Sequence, residues 1–442
     1  MALLLRGIDQ QDWSLVREQL AARVTTDYAS LFGAPPSEVT ADELVAQWTT
    51  LLTPLHATQH MLGAGSTDID GGRATVHVPV RGYHVAQGLP GGDEWMVAGH
   101  YEAGFERADD QWRLRSLRLD VHHQTGNRNL LQEAGESDRA LPEPDGVRIE
   151  RVRFSSMGER VAGYLYRPAT GEGPHPGVVV LGSWTTVKEQ MAGRYAAELA
   201  KRGFAALAFD PRGYGESGGQ PRNLESASMK MADVAAAVAF LRRDSRVATD
   251  SVGALGICAG AGFVAGAAVN APGLGAVALV APWLHDAGLV EAIYGGEAGV
   301  KERLDRAAAA QSHYDATGEV EYVPAVSTTD ESAAMYGPFD YYLDAARGAV
   351  EAWPNAFATM AWTEWLTFDP HPFAAQQRAP LLMVHSEQAA IPEGARRFHG
   401  AVPKAEPIRW LEGTQFDFYD DPNTVGPAVD AVAEHLRAHL PG

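Results

Sequence analysis

The sequence predicts two folds in series: an α+β domain over residues 1–132 and an α/β domain over residues 147–442, joined by a linker at 133–146. Three observations carry that prediction. Near the start, apolar residues recur at helical spacing and then switch to alternation, the pattern of helices followed by half-buried antiparallel strands. Beyond the linker, wholly apolar runs alternate with helical patterns, as in a parallel sheet covered on both faces. Between one such run and the next helix stands Gly256-Ile257-Cys258-Ala259-Gly260, a small-residue turn able to lift one side chain above a sheet.

In the first domain, Trp13, Val16, Leu20 and Val24 predict an amphipathic helix over Asp12 to Val24. Thr40-Ala41-Asp42-Glu43 forms a capping box and opens a second helix that runs to Leu52. Ala74 to His84 then alternates through Val76, Val78 and Val80, and Trp95 to Glu106 through Trp95, Val97, Tyr101 and Phe105. Gln111 to Val121 is a third strand after an Asp109-Asp110 turn. A curled sheet behind helices can enclose a small-molecule pocket.

Gln132 to Asp145 is polar and punctuated by Pro142 and Pro144, hence a linker. After it, Val147 to Phe154 and Arg160 to Tyr166 predict an antiparallel entry hairpin. Strands follow at Gly177–Leu181, Ala205–Phe209, Ser251–Ile257, Ala276–Val280, Leu381–His385 and Pro407–Leu411. Helices are predicted at Tyr195–Arg202, Ala232–Leu241, Phe263–Asn270 and Thr424–Leu440. Residues 284–373, rich in Tyr and Trp, carry no strand pattern and read as a helical lid over the sheet.

Composition narrows the function. A formal charge of -20 with no basic cluster argues against nucleic-acid and anionic-membrane partners. Cys258 is the only cysteine, which excludes internal disulfides and fits a reducing interior. Met1 to Leu5 is too short and too soon followed by Asp9 and Asp12 to act as a signal peptide, and no apolar run reaches membrane-spanning length, so a cytoplasmic location is expected. The preference for Arg over Lys and the abundance of Ala suggest a GC-rich bacterial genome. Neither a phosphate-binding glycine fingerprint nor a metal-ligand spacing stands out, so no cofactor and no metal are expected.

A lone cysteine among Ala and Gly fits a small buried hydrophobe. The Gly-x-Cys-x-Gly spacing between strand and helix favours a nucleophile instead. At a helix N-terminus, unpaired N–H groups and the positive end of the dipole should lower the thiol pKa.

Gly182-Ser183-Trp184, Phe209-Asp210-Pro211-Arg212-Gly213 and Gly256-Ile257-Cys258-Ala259-Gly260, in that order, resemble the α/β-hydrolase fold, close to its dienelactone-hydrolase-like branch. The resemblance implies an oxyanion hole from the backbone N–H groups of Trp184 and Ala259, and a catalytic acid at Glu387 after the strand Leu381 to His385. It also implies a relay histidine after the strand ending at Leu411, where Gln415 stands instead. An amide cannot accept a proton near neutral pH, so the relay is broken at Gln415. His285, His371, His385 and His399 are the imidazoles that could repair it from other loops. Asp210 and Arg212 are expected to brace their loop. Tyr336, Trp362, Trp365 and Tyr419 are the expected substrate-binding aromatics.

Asp9 with Asp12-Trp13, Thr26-Asp27-Tyr28, Thr58-Gln59-His60-Met61-Leu62-Gly63 and Tyr83-His84 make the first domain resemble the nuclear-transport-factor-2-like fold, in its scytalone-dehydratase and polyketide-cyclase-like (SnoaL-like) branch. That resemblance implies a second site of Asp9, Tyr28, His60 and His84 for acid–base elimination.

The leading expectation is a natural-product tailoring enzyme centred on Cys258, acting on an apolar, polyketide-like or polycyclic small molecule. Ester, lactone or thioester hydrolysis competes there with cofactor-free chemistry such as carbon–carbon bond formation or cyclisation. The alternatives are dehydratase or cyclase chemistry in the first domain, and a non-catalytic binding protein. A homodimer is among the expected partners, since folds like the first domain often pair.

Overall fold

The computed structural model describes all residues except 87–91, 110, 140–143, 145, 172, 272 and 441–442. The chain divides into two units, Met1–Leu141 and Pro142–Gly442.

In the first unit, the strands are β1 (Leu20–Asp27), β2 (Ser37–Thr40), β3 (Ala57–Leu62), β4 (Ser66–Asp70), β5 (Arg73–Val85), β6 (Glu94–Ala108) and β7 (Gln111–Gly126). They form one sheet in the order β2-β1-β7-β6-β5-β3, with β4 also paired to β5. Only the β1–β7 pairing is parallel. The helix Ala41–Leu52 starts on the expected capping box, with both reciprocal Thr40–Glu43 bonds in place. Its buried Leu44 and Trp48 join Val78, Val80, Trp95, Val97 and Tyr101 from alternate strand positions in a single core.

The expected helix over Asp12 to Val24 is corrected. It ends at Glu18, and Leu20 to Asp27 is strand β1. Leu20 and Val24 are buried as foreseen, but the pairing of Thr25 and Thr26 with Ser116 and Leu117 of β7 decides their backbone. β-Branched residues favour that extended state. Part of the expected linker is also corrected: Leu130–Arg139 is helical, with Leu130 and Ala134 buried in the first core. Residues 140–143 and 145 of that stretch, and Asp110 of the expected turn, lie outside the described residues.

In the second unit, the chain runs through β8 (Val147–Ser156), β9 (Glu159–Pro168), β10 (His175–Leu181), β11 (Ala205–Phe209), β12 (Val247–Ile257) and β13 (Leu274–Val280). An insertion follows with helices Ala287–Tyr294 and Gly296–Thr317, and with short strands β14 (Tyr322–Pro324), β15 (Val326–Ser327), β16 (Met335–Tyr336) and β17 (Ala356–Ala358). The reading of this insertion as free of strands is therefore corrected. These strands pair only with each other, over two or three residues, too few to leave an alternating pattern.

β18 (Leu381–His385) and β19 (Arg409–Trp410) complete an eight-stranded sheet in the order β19-β18-β13-β12-β10-β11-β9-β8. It is parallel from β19 to β11 and antiparallel through the β9–β8 hairpin. Its central strands are buried on both faces, which is why they read as unbroken apolar runs. Helices Met191–Lys201, Ala227–Leu241, Ala259–Asn270 and Pro422–His439 contribute their apolar faces to the same core. Among the described residues no helix is long and apolar enough to cross a membrane.

Candidate active site

Cys258 stands between β12 and the helix Ala259–Asn270 with φ 56° and ψ -121°, a left-sided backbone that non-glycine residues adopt only under constraint. Three backbone bonds impose it. The Cys258 N–H donates to Val280 O at 3.0 Å, and its carbonyl accepts from Trp283 N at 2.9 Å and Ala261 N at 3.1 Å. The flanking glycines make room. A Cβ on Gly260 would lie 2.2 Å from Gly182 O, and one on Gly256 would lie 2.5 Å from Gly260 O. Gly260 is thus a steric requirement of the crossing between this turn and the loop after β10, and Gly256 of the turn's own tight backbone.

The sulfur faces a cavity of about 430 Å³ walled by Ser183, Trp184, Tyr342, Trp365, Gln415 and Tyr419 among others. The Ser183, Tyr419 and Gln415 side chains and the Ala259 N–H are its hydrogen-bonding neighbours. They also bond one another. The Tyr342 hydroxyl donates to Ser183 Oγ at 3.2 Å, Ser183 Oγ lies 3.4 Å from the Tyr419 hydroxyl, and Gln415 Nε2 donates to Tyr419 at 3.3 Å. Gln415 is fixed at both ends of its amide, by Ala281 O at 2.9 Å and by the Ala390 N–H at 3.0 Å.

The expected fall in the thiol pKa is corrected. Burial pushes the Cys258 thiol up, and the four hydrogen bonds only partly oppose it. In a water-poor aromatic cavity, desolvation of a thiolate outweighs the helix terminus. Burial and the neighbouring Cys258 likewise raise Tyr342 and Tyr419, so both remain protonated donors.

Trp184 and Ala259, the expected oxyanion donors, both line the cavity. Among the described residues the Trp184 N–H has no backbone acceptor, as a waiting donor requires. Trp365 and Tyr419 line the cavity, and Tyr336 does so half-exposed. Trp362 does not: it is buried behind the wall, packed on Trp184, Phe357 and Tyr294, and its expected contact with substrate is corrected to a packing role.

Glu387 is corrected as well. It is exposed and paired with Arg396, away from the cavity lining. None of the four candidate histidines lines the cavity either. His285 accepts from Trp283 Nε1 at 2.9 Å and faces Trp365 O at 3.1 Å, His371 faces Leu284 O at 3.3 Å, and His399 faces Glu406 O at 2.8 Å. His385 is buried under Trp410. Burial pushes both His285 and His385 down to about 4, so they stay neutral.

Asp210 and Arg212 brace their loop from buried positions. Asp210 accepts from the Lys188 N–H and Nζ, each at 2.8 Å, and Arg212 pairs with Asp233 at 2.5 Å. Sequence reasoning missed the part played by Ser183, quoted only within the Gly182-Ser183-Trp184 motif, and it missed Arg303 on the cavity wall. A serine beside a tryptophan carries no local signal that its hydroxyl will meet a distant cysteine. A three-residue group of ligand type, Glu406, His435 and His439, was also missed. There the carboxylate already accepts from both rings, at 2.6 and 3.1 Å.

The first unit has its own cavity, of about 260 Å³, lined by Tyr28, Trp48, His60, His84, Trp95 and Tyr101 among mostly aliphatic residues. His60 Nδ1 lies 2.6 Å from Asp9 Oδ1, and the other Asp9 oxygen accepts the His60 N–H at 2.8 Å. Thr58 Oγ1 donates to Asp9 Oδ1 at 3.1 Å. A carboxylate held on Nδ1 leaves Nε2 as the basic nitrogen. The His84 ring is 5.6 Å from that of His60, and burial first, then the neighbouring His60 ring, push it down to about 4. Burial raises Tyr28 and Tyr101, so both keep their protons. Of the four residues named from the sequence, Tyr28, His60 and His84 therefore line one cavity and Asp9 acts on it through His60, while Trp48 and Tyr101 line it too.

Comparison with known proteins follows this division. Residues 1–118 match the SnoaL-like domain. Residues 158–390, more than half of the chain, match the X-Pro dipeptidyl-peptidase (S15 family). The chain belongs to the X-Pro dipeptidyl-peptidase (S15) family. The uncharacterized protein PA2218 of Pseudomonas aeruginosa is 40% identical over 142 residues, which are 31% of this chain and 38% of that protein. Its crystal structure matches with a TM-score of 0.59 at 27% identity, covering 68% of this chain and 96% of that one. Thiohydrolase aneE of Aspergillus aculeatus is 33% identical over 118 residues, 26% of this chain and 36% of that protein. Polyketide transferase claH of Penicillium crustosum is 33% identical over 128 residues, 28% of this chain and 40% of that protein. The chain thus spans less than half the length of each of these curated relatives. A SnoaL-like α+β domain followed by an α/β-hydrolase-type domain of the S15 family is the architecture of this chain.

Proposed function

We propose that the second unit is a natural-product tailoring enzyme that takes an apolar, polyketide-like acyl substrate onto Cys258 and completes its chemistry without activated water. The observation that carries this reading is the company of the sulfur. It faces an aromatic cavity among hydroxyls and an amide, and among the described residues no imidazole and no carboxylate but the exposed Glu331 lines that cavity. Attack of the thiol on a thioester or ester carbonyl forms the acyl–sulfur bond as the leaving group departs with the thiol proton. The Ala259 and Trp184 N–H groups hold the oxyanion, an interaction worth about 3 kcal/mol per donor in such a site.

Hydrolysis of that acyl-enzyme needs a base to deprotonate water, and Ser183, Tyr342, Tyr419 and Gln415 are all neutral near pH 7. A hydroxyl or amine of the substrate itself, positioned on the acyl carbon, can take the acyl group and return its proton to sulfur, giving transfer or ring closure. The names of aneE, a thiohydrolase, and claH, a polyketide transferase, support a thioester or polyketide substrate.

The test uses N-acetylcysteamine thioesters of an aromatic hydroxy acid and of its deoxy counterpart. Intact-mass analysis should find one acyl adduct, located on Cys258 and missing in Cys258→Ala, with lactone formed only from the hydroxy acid. Free acid as the main product, or full turnover by Cys258→Ala, would sink this reading.

A second reading is favoured by the Asp9–His60 pair, which presents a basic nitrogen to an apolar cavity beside protonated tyrosines. It assigns dehydratase or cyclase chemistry to the first unit. It requires His60→Ala to abolish turnover that Cys258→Ala leaves intact, and the opposite result rejects it.

A further inference from the structure

The cavity over Cys258 is walled by aromatic and small apolar side chains, yet two charged residues line it, Glu331 and Arg303. Glu331 is exposed. Arg303 lies on the helix Gly296–Thr317, half-buried and fixed in place. Its Nη1 donates to Tyr294 O at 3.1 Å and to Gly299 O at 3.0 Å. Its guanidinium also sits 5.2 Å from the centre of the Tyr294 ring and 5.4 Å from that of Trp362.

These contacts use one nitrogen and one face of the group. Among the described residues, Nε and Nη2 have no hydrogen-bond partner, and no carboxylate comes within ion-pair distance. Nε and Nη2 form the fork that takes a carboxylate side-on through two parallel bonds.

We infer that Arg303 is an anion anchor, and that the molecule bound in this cavity is an apolar compound carrying a carboxylate. The inference rests on the reading of the cavity as a substrate site, and it names the class of substrate: a dicarboxylic half-thioester or half-ester, one end at Cys258 and the other at Arg303. The carboxylate forms two charge-assisted bonds to a pre-positioned donor pair, so little ordering opposes them. A neutral analogue leaves the fork without its acceptor.

The test is calorimetric titration of the full chain with decanoate and with decanamide, neither of which can acylate the thiol. The wild type should bind decanoate at least about tenfold more tightly than decanamide, the gain expected of a charge-assisted pair. Arg303→Gln should weaken decanoate to the level of the amide and leave decanamide unchanged, while Arg303→Lys should keep part of the preference. Binding to the first unit's cavity is common to all three proteins and cancels in the comparison. Equal affinities in the wild type, or a preference that survives in Arg303→Gln, would overturn the anchor. Should Arg303→Gln fail to fold, a wild-type preference carried over undiminished into Arg303→Lys would overturn it equally. A preference that holds while no acyl-enzyme forms refutes the thiol chemistry and leaves the anchor standing, so the two claims fail separately.

Discussion

Replacing Tyr419 by Phe removes one hydroxyl from the cluster around the sulfur, and the structure sets what that loss should do. Tyr419 is buried, and its hydroxyl lies 3.3 Å from Gln415 Nε2 and 3.4 Å from Ser183 Oγ. Both partners keep a better bond without it, Gln415 to Ala281 O at 2.9 Å and Ser183 to the Tyr342 hydroxyl at 3.2 Å. No buried polar group is orphaned. The stability cost should therefore stay near 1 kcal/mol, the net worth of an ordinary hydrogen bond. The ionised sulfur loses more. A bond to a charged group is worth about 1.5–3 kcal/mol, and each 1.4 kcal/mol or so is a decade of equilibrium. Alkylation of the thiol at a given pH should accordingly slow by roughly 10- to 100-fold. Because Cys258 is the only cysteine, iodoacetamide labelling followed by intact mass reads this site alone, and urea unfolding supplies the stability arm. Unchanged labelling rates in a stably folded Tyr419→Phe protein would refute the claim that this hydroxyl supports the sulfur.

Three further outcomes follow from the same geometry. Gln415→His restores a base beside the thiol, and should speed alkylation near neutral pH and introduce roughly tenfold more thioester hydrolysis; the gain stays far below a complete relay, because Glu387 is committed to Arg396 and cannot orient the ring. Gly260→Ala would press a Cβ against the carbonyls of Gly182 and Leu181, at 2.2 and 2.8 Å, and should cost more than about 3 kcal/mol in urea unfolding; a tolerated alanine would disprove the tight crossing. His285 is held at about 4 when folded against about 6.5 unfolded, so only the unfolded chain gains a proton between those values. Stability should then fall as pH drops through that window, by on the order of 3 kcal/mol for this residue. His285→Gln should flatten the slope in urea titrations near pH 7 and pH 5, and an unaltered slope would count against the assignment. His385, also held at about 4, acts in the same direction, so part of the slope should survive.

The site was legible in the sequence where chemistry is local. The elbow announces itself because the glycines two residues either side of Cys258 are demanded by close backbone contacts, at Gly260 with the loop after β10 and at Gly256 within the turn. The capping box at Thr40 is equally local, since both of its bonds close within four residues. Glu387 misled because it stands at the right offset after β18, while its partner is settled by Arg396 on the following helix. Leu20 and Val24 suit a helix face as well as a strand, and only the pairing with β7 separates the two.

From the chain alone came the order of the two folds, the alternation that builds each sheet, the turn that raises Cys258 and the missing relay histidine at Gln415. These rest on periodicity and on steric limits that neighbouring residues impose on one another. Folding in three dimensions decided the rest: the enclosure of the thiol by Ser183, Tyr342 and Tyr419, the upward push on its pKa, and the guanidinium of Arg303 in the same cavity. Desolvation and hydrogen bonding depend on which distant side chains arrive together, and no local pattern encodes that arrival.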